Sequence, residues 1–403
     1  MELLKQYRIA VVGSPDAGKS TFIKNLVKYI AGRELSPDTL MREVHWSDGR
    51  DPMGNPDTRT IKCAKIMFEY EGNEFCMYDC PGHLEYIDQI KQGINAADVV
   101  LFIRNQMDPQ ASDEYFDKIE GMIACTDYVM MHSHGKINSF SGFEYNVELP
   151  GTGEFFKLFM PWLRNQCNIH GEGHNIEEEA IELIKEVIKS ENKNIMFFSG
   201  GKDSVAGLKL YELAGKINDI TVYFPQSGYD FDEVEKWNKL WEIYFNKKIE
   251  PFSNSLGLTY KDNGEYNMMQ AKAQANEMLV SELKPDIVSV QYRASDEGVR
   301  SKDYHLSPRE CYSRFSPVFY FSEANVWRFI SKYNIPVNPL YFKGYRSLGD
   351  APVTEPCMPC FKTVNDIVQY IAENPETTER DGRKKQDKSV PFAMEKLRDN
   401  GFF

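Results

Sequence analysis

Short apolar runs alternate with amphipathic segments along most of the chain. Residues 8–12 and 195–198 are runs without polar alternation, which is typical of strands buried on both faces of a parallel sheet. Each run leads into a glycine-containing turn and then into a segment with apolar residues at helical spacing. This repeated order of strand, turn and helix predicts an α/β protein with two three-layer domains, each built on a parallel sheet.

The same patterns predict the elements around these two strands. Apolar-rich runs at 61–70 and 74–78 are joined by Glu-Gly-Asn and indicate a hairpin. A helix at 87–97 and a strand at 98–103 follow it. In the second half we expect strands at 220–224 and 286–290 and helices at 176–188, 205–213 and 322–333.

A stretch without apolar periodicity separates the two halves. Residues 167–175 contain two glycines and two histidines and therefore predict a linker. We expect a first domain at 1–166, a second at 176–373, and a charged, solvated tail at 374–403. The length of 403 residues exceeds that of one compact core, which agrees with two domains.

Composition and charge narrow the function classes. The net charge is −13, and no run of Lys and Arg is long enough to suggest a nucleic-acid footprint. No stretch of eighteen apolar residues indicates a membrane span, and the N-terminus has no signal-peptide core. We therefore expect a cytoplasmic protein that binds small molecules, with a homo-oligomer left open. Its eight cysteines are expected to be thiols, ligands or redox groups instead of structural disulfides.

The turn after the first strand has the spacing Gly, four residues, Gly-Lys-Ser. Between a strand and a helix, this spacing lets backbone N–H groups surround phosphates while Lys19 reaches the outer phosphate oxygens and the Ser20 hydroxyl holds Mg²⁺. The predicted nucleotide-binding residues here are Gly13, Asp16, Gly18, Lys19, Ser20 and Thr21.

A second motif, Asp-Cys-Pro-Gly-His, begins at Asp79 where the predicted hairpin ends. Asp79 is suited to hold Mg²⁺ through water, and the Gly82 amide to contact a terminal phosphate. The motif resembles the switch motif of the elongation-factor class of GTPases, which includes the GTPase subunit of bacterial sulfate adenylyltransferase. The resemblance implies that His83 positions the attacking water and that Thr60, with Thr58 as a rival, is a further Mg²⁺ ligand.

The guanine motif of that class does not appear at the corresponding position. Where the class has Asn-Lys-x-Asp, residues 132–136 read His-Ser-His-Gly-Lys. Two hydrogen bonds to the guanine edge then have no obvious partner, so the first turn is expected to take either GTP or ATP. His132 and His134 have a spacing that metal ligands can use, and an exposed pair at a strand end is the alternative.

The turn after the strand at 195–198 reads Ser-Gly-Gly-Lys-Asp-Ser. Its glycines allow a phosphate to approach the backbone, its serines donate hydroxyls, and its lysine adds a positive charge beside a helix N-terminus. The turn resembles the pyrophosphate-binding loop of the adenine nucleotide alpha-hydrolase superfamily, which implies ATP or an adenylyl nucleotide as ligand. The predicted binding residues are Ser199, Gly200, Gly201, Lys202, Asp203 and Ser204.

Later blocks resemble the branch of this superfamily that handles adenylyl sulfate and phosphoadenylyl sulfate. Two arginines after a strand end suit a tetrahedral oxyanion, because a guanidinium group binds such an ion bidentately. The resemblance implies adenosine contacts for Ser227, Gly228 and Tyr229, and anion contacts for Arg293, Arg300 and Arg346.

These resemblances together imply sulfate activation, in which ATP and sulfate give adenylyl sulfate and pyrophosphate while the first domain hydrolyses a nucleotide. The catalytic residues implied are His83, Lys202 and Arg293. Three alternatives remain open: reduction of adenylyl sulfate or phosphoadenylyl sulfate, nucleotide-activated thiolation of tRNA, and a nucleotide-controlled binding module.

The cysteines of the second half bear on these alternatives. Cys357 and Cys360 have the spacing of metal ligands or a redox pair, with Cys311 upstream. An adjacent cysteine pair is missing, and no cysteine follows Cys360. Both absences argue against reductases of the resembling branch. A zinc site made by the three cysteines and simple buried thiols both remain open.

Overall fold

The computed structural model describes residues 2–31, 63–123, 127–133, 139–141, 149–150, 156–157, 159–163, 173–226, 230–253, 276–294, 304–374, 377, 379 and 381–383. Contacts divide the chain into two compact units. The first unit comprises Leu4–Asn175 and Ala294–Lys302, and the second comprises Met1–Leu3, Ile176–Arg293 and Asp303–Phe403. The linker at 167–175 and the exact domain limits stay predictions.

Strands of the first unit form one sheet in the order β2-β3-β1-β4-β5-β6-β7. β1 pairs in parallel with β3 and β4, and β4 pairs in parallel with β5. The predicted hairpin is present as the antiparallel pair β2 and β3. The elements are β1 (Gln6–Val12), α1 (Lys19–Ala31), β2 (Ala64–Tyr70), β3 (Asn73–Asp79), α2 (Ile87–Asn95), β4 (Val99–Asn105), α3 (Pro109–Ile123), β5 (Asp127–Ser133), β6 (Ser139–Ser141) and β7 (Leu149–Pro150).

Strand β1 lies between β3 and β4 inside this sheet and is buried on both faces. Ile9 and Val11 belong to one hydrophobic cluster, and Ala10 and Val12 belong to another. Because successive side chains of a strand point to opposite faces, both faces need apolar residues. This burial explains why the sequence shows no polar alternation there.

The second unit has a sheet in the order β10-β9-β8-β11-β13-β12, in which only β12 is antiparallel to its neighbour. The predicted class, α/β with parallel sheets, is therefore confirmed. The elements are α4 (Ile176–Val187), β8 (Asn194–Phe197), α5 (Lys202–Leu213), β9 (Thr221–Gln226), α6 (Asp232–Phe245), β10 (Ile249–Ser253), β11 (Ile287–Val290), β12 (Leu306–Pro308), β13 (Ser313–Phe315), α7 (Glu323–Lys332) and α8 (Val364–Glu373).

Helix α6 holds the turn after β8 in place through Trp241. The indole is fully buried, and its Nε1 donates a hydrogen bond to the Pro336 carbonyl oxygen at 2.9 Å. Gly200 adopts φ +70°, and a Cβ at this position would lie 2.8 Å from Val234 Cγ1. Only glycine fits both the left-handed conformation and the close approach of α6.

The two helices that follow the sheet begin at side-chain caps. The Ser322 side chain accepts a hydrogen bond from the Asn325 N–H at the start of α7, and Thr363 and Asp366 form a capping box at the start of α8. In the described part of the chain, no helix is long and apolar enough to cross a membrane.

A comparison of two glycines of the second unit distinguishes the cost of backbone strain from the cost of steric overlap. Gly344 has φ +88°, and a Cβ there would lie 2.2 Å from the Met358 carbonyl oxygen, whereas Gly215 has φ +69° and open space around the Cβ position. We expect Gly344→Ala to lower the free energy of unfolding by about 3 kcal/mol and Gly215→Ala by about 1 kcal/mol, because only the first adds overlap to left-handed strain. Urea unfolding followed by circular dichroism measures both, and equal losses would contradict the prediction.

Candidate functional site

The first candidate site lies where β1 and β3 end. These strands are parallel neighbours, so the turn after β1 and Asp79 at the end of β3 meet at the same edge of the sheet. Ser20 Oγ donates a hydrogen bond to Asp79 Oδ2 at 2.8 Å. Lys19 Nζ donates to the carbonyl oxygens of Gly13 and Ser14 at 2.9 and 2.8 Å. The structure thus brings the predicted lysine, serine and aspartate together.

The switch glycine lies directly against this turn. A Cβ at Gly82 would be 2.6 Å from Lys19 Nζ and 2.9 Å from Pro15 N. The backbone at Gly82 therefore lies directly beside the lysine, and its predicted contact with a terminal phosphate stays a prediction. His83, the next residue, is half-buried and precedes the short 3-10 helix Leu84–Tyr86.

The other predicted residues of the turn differ in their surroundings. A Cβ at Gly13 would lie 2.4 Å from the Ile103 carbonyl oxygen, so a side chain is excluded there. Asp16 is exposed with φ +56°, and Gly18 has φ +88°. Thr21 is half-buried in the first turn of α1. These conformations keep the turn compact around the lysine.

Lys19 is a buried cation whose near partners are mostly neutral. Its exposure is only 6%, and burial lowers the pKa of Lys19 against the opposing effect of Asp79 and Cys80. Carbonyl oxygens stabilise an ammonium group less than carboxylates do. A phosphate group is therefore a better partner than those that Lys19 has in the turn.

The first site also has a donor set that fits Mg²⁺. The Ser20 hydroxyl and the Asp79 carboxylate are oxygen ligands of the kind that Mg²⁺ prefers, and they already lie within 2.8 Å of each other. Thr60 and its rival Thr58 lie outside the described residues. His134 also lies outside them, and His132 is described only as part of β5.

The second candidate site is built in the same way from β8 and β11, which are parallel neighbours. The Ser-Gly-Gly-Lys-Asp-Ser turn follows β8, and Arg293 follows β11. Because both strands end at the same edge of the sheet, the turn and the arginine meet there. The predicted residues Ser227, Gly228, Tyr229 and Arg300 lie outside the described residues.

Hydrogen bonds hold this second turn in shape. Ser204 Oγ donates to the Gly201 carbonyl oxygen at 2.9 Å and lies 3.1 Å from Ser199 Oγ. The Gly201 N–H donates to Ser199 Oγ at 3.3 Å, and the Lys202 N–H donates to the Tyr341 hydroxyl oxygen at 2.8 Å. The N-terminus of α5 thus points its N–H groups at hydroxyl oxygens.

An ion cluster fills the space next to the turn. Lys202 Nζ pairs with a Glu379 carboxylate oxygen and lies 3.4 Å from Asp203 Oδ2. Arg293 Nε lies 2.9 Å from Asp203 Oδ1, and Arg293 Nη2 donates to Glu379 Oε2 at 2.5 Å. Glu379 therefore bridges Lys202, which was predicted to bind the nucleotide phosphates, and Arg293, which was predicted to bind an oxyanion.

Arg346 joins the same cluster through Glu323. Its Nη2 and Nε donate to the Glu323 carboxylate at 2.8 Å and 3.1 Å, and Lys202 Nζ lies 4.0 Å from Glu323 Oε1. Arg346 Nη1 also donates to Thr377 Oγ1 at 2.5 Å. The three predicted anion-binding cations that the structure describes are thus linked by shared carboxylates.

The pKa values in this cluster follow from burial and pairing. Burial alone would lower the pKa of Lys202, but Asp203, Glu379 and Glu323 raise it above its usual range. Burial would raise the pKa of Glu379, and Arg293 and Lys202 hold it well below its usual range. Lys202 and Glu379 are therefore both charged at neutral pH.

The position of Glu379 corrects the prediction of a solvated tail after residue 373. Its side chain is only 22% exposed, and it lies among buried cations instead of in water. Attraction to two cations outweighs the cost of desolvating one carboxylate. Burial and the neighbouring Glu379 also raise the pKa of Glu323, against the opposing effect of Arg346.

Sequence reasoning missed three residues of this site. Glu323 is the first residue of α7, a helix that the sequence predicted. Tyr341 follows two prolines in a segment that the resemblance covers. The sequence indicated both segments, but it assigned no role in the site to either residue. Nothing in the sequence pattern indicated that Glu379 belongs to the site, because glutamates are common in charged terminal segments.

The three predicted cysteines of the second unit differ in exposure. Within the described residues, no group of three or more His, Cys, Asp or Glu side chains is arranged to hold a metal ion. Cys311 and Cys360 are exposed, and Cys357 is half-buried beside Arg346 and Gly382. Burial raises the pKa of the Cys357 thiol against the opposing charge of Arg346.

Comparison with protein families places one match on each candidate site. Residues 5–112 match the elongation factor Tu GTP binding domain, and residues 193–356 match the phosphoadenosine phosphosulfate reductase domain. The first match includes the turn at 13–20 and the switch motif. The second includes the Ser-Gly-Gly turn, Arg293 and Arg346.

Curated relatives have low identity. An uncharacterized protein of Methanocaldococcus jannaschii is 26% identical over 189 residues, which are 43% of this chain and 39% of that protein. Sulfate adenylyltransferase subunit 2 of Streptomyces lavendulae is 21% identical over 320 residues, which are 63% of this chain and 99% of that protein. Phosphoadenosine 5'-phosphosulfate reductase of Xylella fastidiosa is 23% identical over 203 residues, 45% of this chain and 85% of that protein.

These matches support nucleotide binding at both turns, and the second domain has relatives among nucleotide-modifying enzymes. The chain is thus similar to the elongation factor Tu GTP binding domain over residues 5–112 and to the phosphoadenosine phosphosulfate reductase domain over residues 193–356.

Proposed function

We propose that the chain activates sulfate by transferring the adenylyl group of ATP to it at the Ser-Gly-Gly turn. The observation that carries this proposal is the group of three buried cations, Lys202, Arg293 and Arg346, which are 2%, 2% and 4% exposed. Buried guanidinium groups beside a glycine turn suit a substrate pair that consists of a polyphosphate and a tetrahedral oxyanion.

In the proposed reaction a sulfate oxygen attacks the α-phosphorus of ATP. The new P–O bond forms as the bond from the α-phosphorus to the bridging oxygen breaks, and pyrophosphate leaves with that oxygen. Lys202 and the hydroxyls of Ser199 and Ser204 hold the leaving pyrophosphate, while Arg293 and Arg346 hold sulfate. Positioning and charge neutralisation then supply the catalysis, and no protein nucleophile is needed.

Hydrolysis at the first site would drive this reaction forward, because an anhydride of sulfate and AMP is uphill from ATP. Lys19 would neutralise the outer phosphates, and His83 would position the attacking water. Mg²⁺, held by Ser20 and Asp79 with Thr60 as a further ligand, would neutralise phosphate charge there. The family match favours GTP as this nucleotide, with ATP as the alternative.

A relative supports the choice of adenylyl transfer. Sulfate adenylyltransferase subunit 2 of Streptomyces lavendulae aligns over 99% of its own length with this chain. That alignment covers 63% of this chain, which is more than the second domain alone, so it includes segments on both sides of the domain limit.

A reductase of adenylyl sulfate or phosphoadenylyl sulfate is the second candidate. The observation in its favour is that the Cys357 thiol lies near the anion-binding cluster, where Arg346 contacts it. Burial raises the pKa of this thiol, however, and a reductase requires the thiolate as its nucleophile. The raised pKa of this thiol favours adenylyl transfer as the first candidate.

The proposed function predicts sulfate-dependent release of pyrophosphate from ATP without any thiol donor. We expect added GTP to increase this release, because the free energy of GTP hydrolysis offsets the unfavourable equilibrium of adenylyl sulfate formation. A coupled pyrophosphate assay on the full chain, with and without sulfate and GTP, measures both effects. Thiol-dependent release of sulfite without pyrophosphate would instead establish the reductase.

Lys202→Ala should lower the rate of pyrophosphate release at least about 100-fold, because one preorganised charge is removed from the leaving group. Nucleotide hydrolysis at the first site should continue. Lys185→Ala is the matched control, since Lys185 is an exposed lysine of the same unit whose described ion pair is with Glu182 on α4. Unchanged release by Lys202→Ala would remove this lysine from the mechanism.

His83→Ala should have the opposite profile. We expect hydrolysis at the first site to slow by about 100-fold, because the water loses its positioning group, while nucleotide affinity changes little. Single-turnover hydrolysis and fluorescent-nucleotide titration separate the two quantities. A loss of affinity with normal hydrolysis would show that His83 binds the nucleotide instead of acting on the water.

A further inference from the structure

Among the described residues, the second site contains as many cationic as carboxylate side chains. Its cations are Lys202, Arg293 and Arg346, and its carboxylates are Asp203, Glu323 and Glu379. With all six charged, the cluster is neutral. A neutral cluster has little net attraction for an incoming anion, although its cations are the groups that an anion needs.

Two of the three carboxylates belong to the framework of the site. Asp203 lies in the first turn of α5, and Glu323 lies in the first turn of α7. Glu323 also holds both Arg346 Nε and Nη2, so it positions that guanidinium. Their removal would disturb the helices and the cations together.

Glu379 differs from these two carboxylates because it lies beyond the last helix, α8, which ends at Glu373. Among the described residues, Ser347 Oγ donates to the Glu379 carbonyl oxygen at 3.2 Å, Thr377 Oγ1 accepts a hydrogen bond of 2.5 Å, and the Gly382 carbonyl oxygen accepts one of 2.7 Å. Because Glu379 belongs to no described helix, its carboxylate can move away without unfolding one, although contacts on both sides of it hold the segment.

The bridging geometry of Glu379 is that of a small oxyanion. One carboxylate oxygen pairs with Lys202 Nζ, and the other accepts from Arg293 Nη2 at 2.5 Å. A phosphate or sulfate group bound to these two cations would use the same nitrogen atoms. The Glu379 carboxylate and a bound phosphate or sulfate group therefore cannot accept from these nitrogen atoms at the same time.

We propose that Glu379 is an internal competitor that occupies the anion position of the second site and must be displaced when the substrate anion binds. The inference rests on the proposed function only in that this site binds anionic substrates. Displacement leaves the framework with three cations and two carboxylates, so it creates the positive charge that attracts the anion. The apparent affinity for the anion is reduced by the fraction of molecules in which Glu379 holds the site.

Glu379→Gln tests this competition, because it removes the charge and keeps the size of the side chain. Inorganic pyrophosphate is the probe, titrated calorimetrically into the full chain. We expect the variant to bind pyrophosphate about tenfold more tightly than the native chain, which corresponds to a native site held by Glu379 about nine-tenths of the time. Glu373→Gln is the matched control, since Glu373 is an exposed glutamate at the end of α8, and its affinity should stay native.

A second measurement needs no variant. Hydrogen exchange in the peptide that carries Glu379 should increase when pyrophosphate is added to the native chain, because the carboxylate leaves its two partners. If pyrophosphate binds and hydrogen exchange in this peptide does not increase, Glu379 is not displaced and the proposal is overturned. Circular dichroism and urea unfolding of Glu379→Gln establish that the variant is folded.

The outcomes separate this inference from the proposed function. Equal or weaker binding by Glu379→Gln would overturn the competitor role and leave the anion site standing. No binding by any variant would overturn both. Tighter binding by Glu379→Gln, without sulfate-dependent pyrophosphate release, would support the competitor and reject sulfate activation.

Discussion

The ion cluster around Lys202 is the interaction on which the second site depends. A lysine that is only 2% exposed needs carboxylate partners, since an isolated buried charge is strongly destabilising. Asp203, Glu323 and Glu379 meet this requirement and at the same time orient Arg293 and Arg346. The groups that keep the cations charged and in place therefore also decide how readily those cations accept an anion.

The two sites place a lysine in the same position of the fold and give it different partners. Each lysine follows a glycine turn at the end of a parallel strand and lies in the first turn of the next helix. Neutral carbonyl oxygens bind Lys19, and burial lowers its pKa, whereas three carboxylates raise the pKa of Lys202. Lys19 can thus gain an anionic partner when a phosphate group binds, whereas Lys202 must exchange a carboxylate for it.

The sequence predicted what depends on local pattern and missed what depends on distant pairing. Continuous apolar runs predicted β1 and β8, and motif spacing predicted the turns behind them. Pairs such as Lys202 with Glu379 join positions far apart in the chain, where no periodicity connects the partners. Gln291 shows the same limit: a Cβ at Gly207 would lie 2.6 Å from Gln291 Cγ, so the Gln291 side chain requires a glycine at a distant position on α5.

The protonation states of the second site favour phosphoryl chemistry over thiol chemistry. Lys202 keeps its proton because burial is opposed by three carboxylates, and burial raises the pKa of the Cys357 thiol. A protonated lysine can stabilise a departing pyrophosphate, but a protonated thiol attacks sulfur slowly. Reductase chemistry at Cys357 would require the site to lower the pKa of that thiol. Adenylyl transfer needs the described groups in the charge states that they already have.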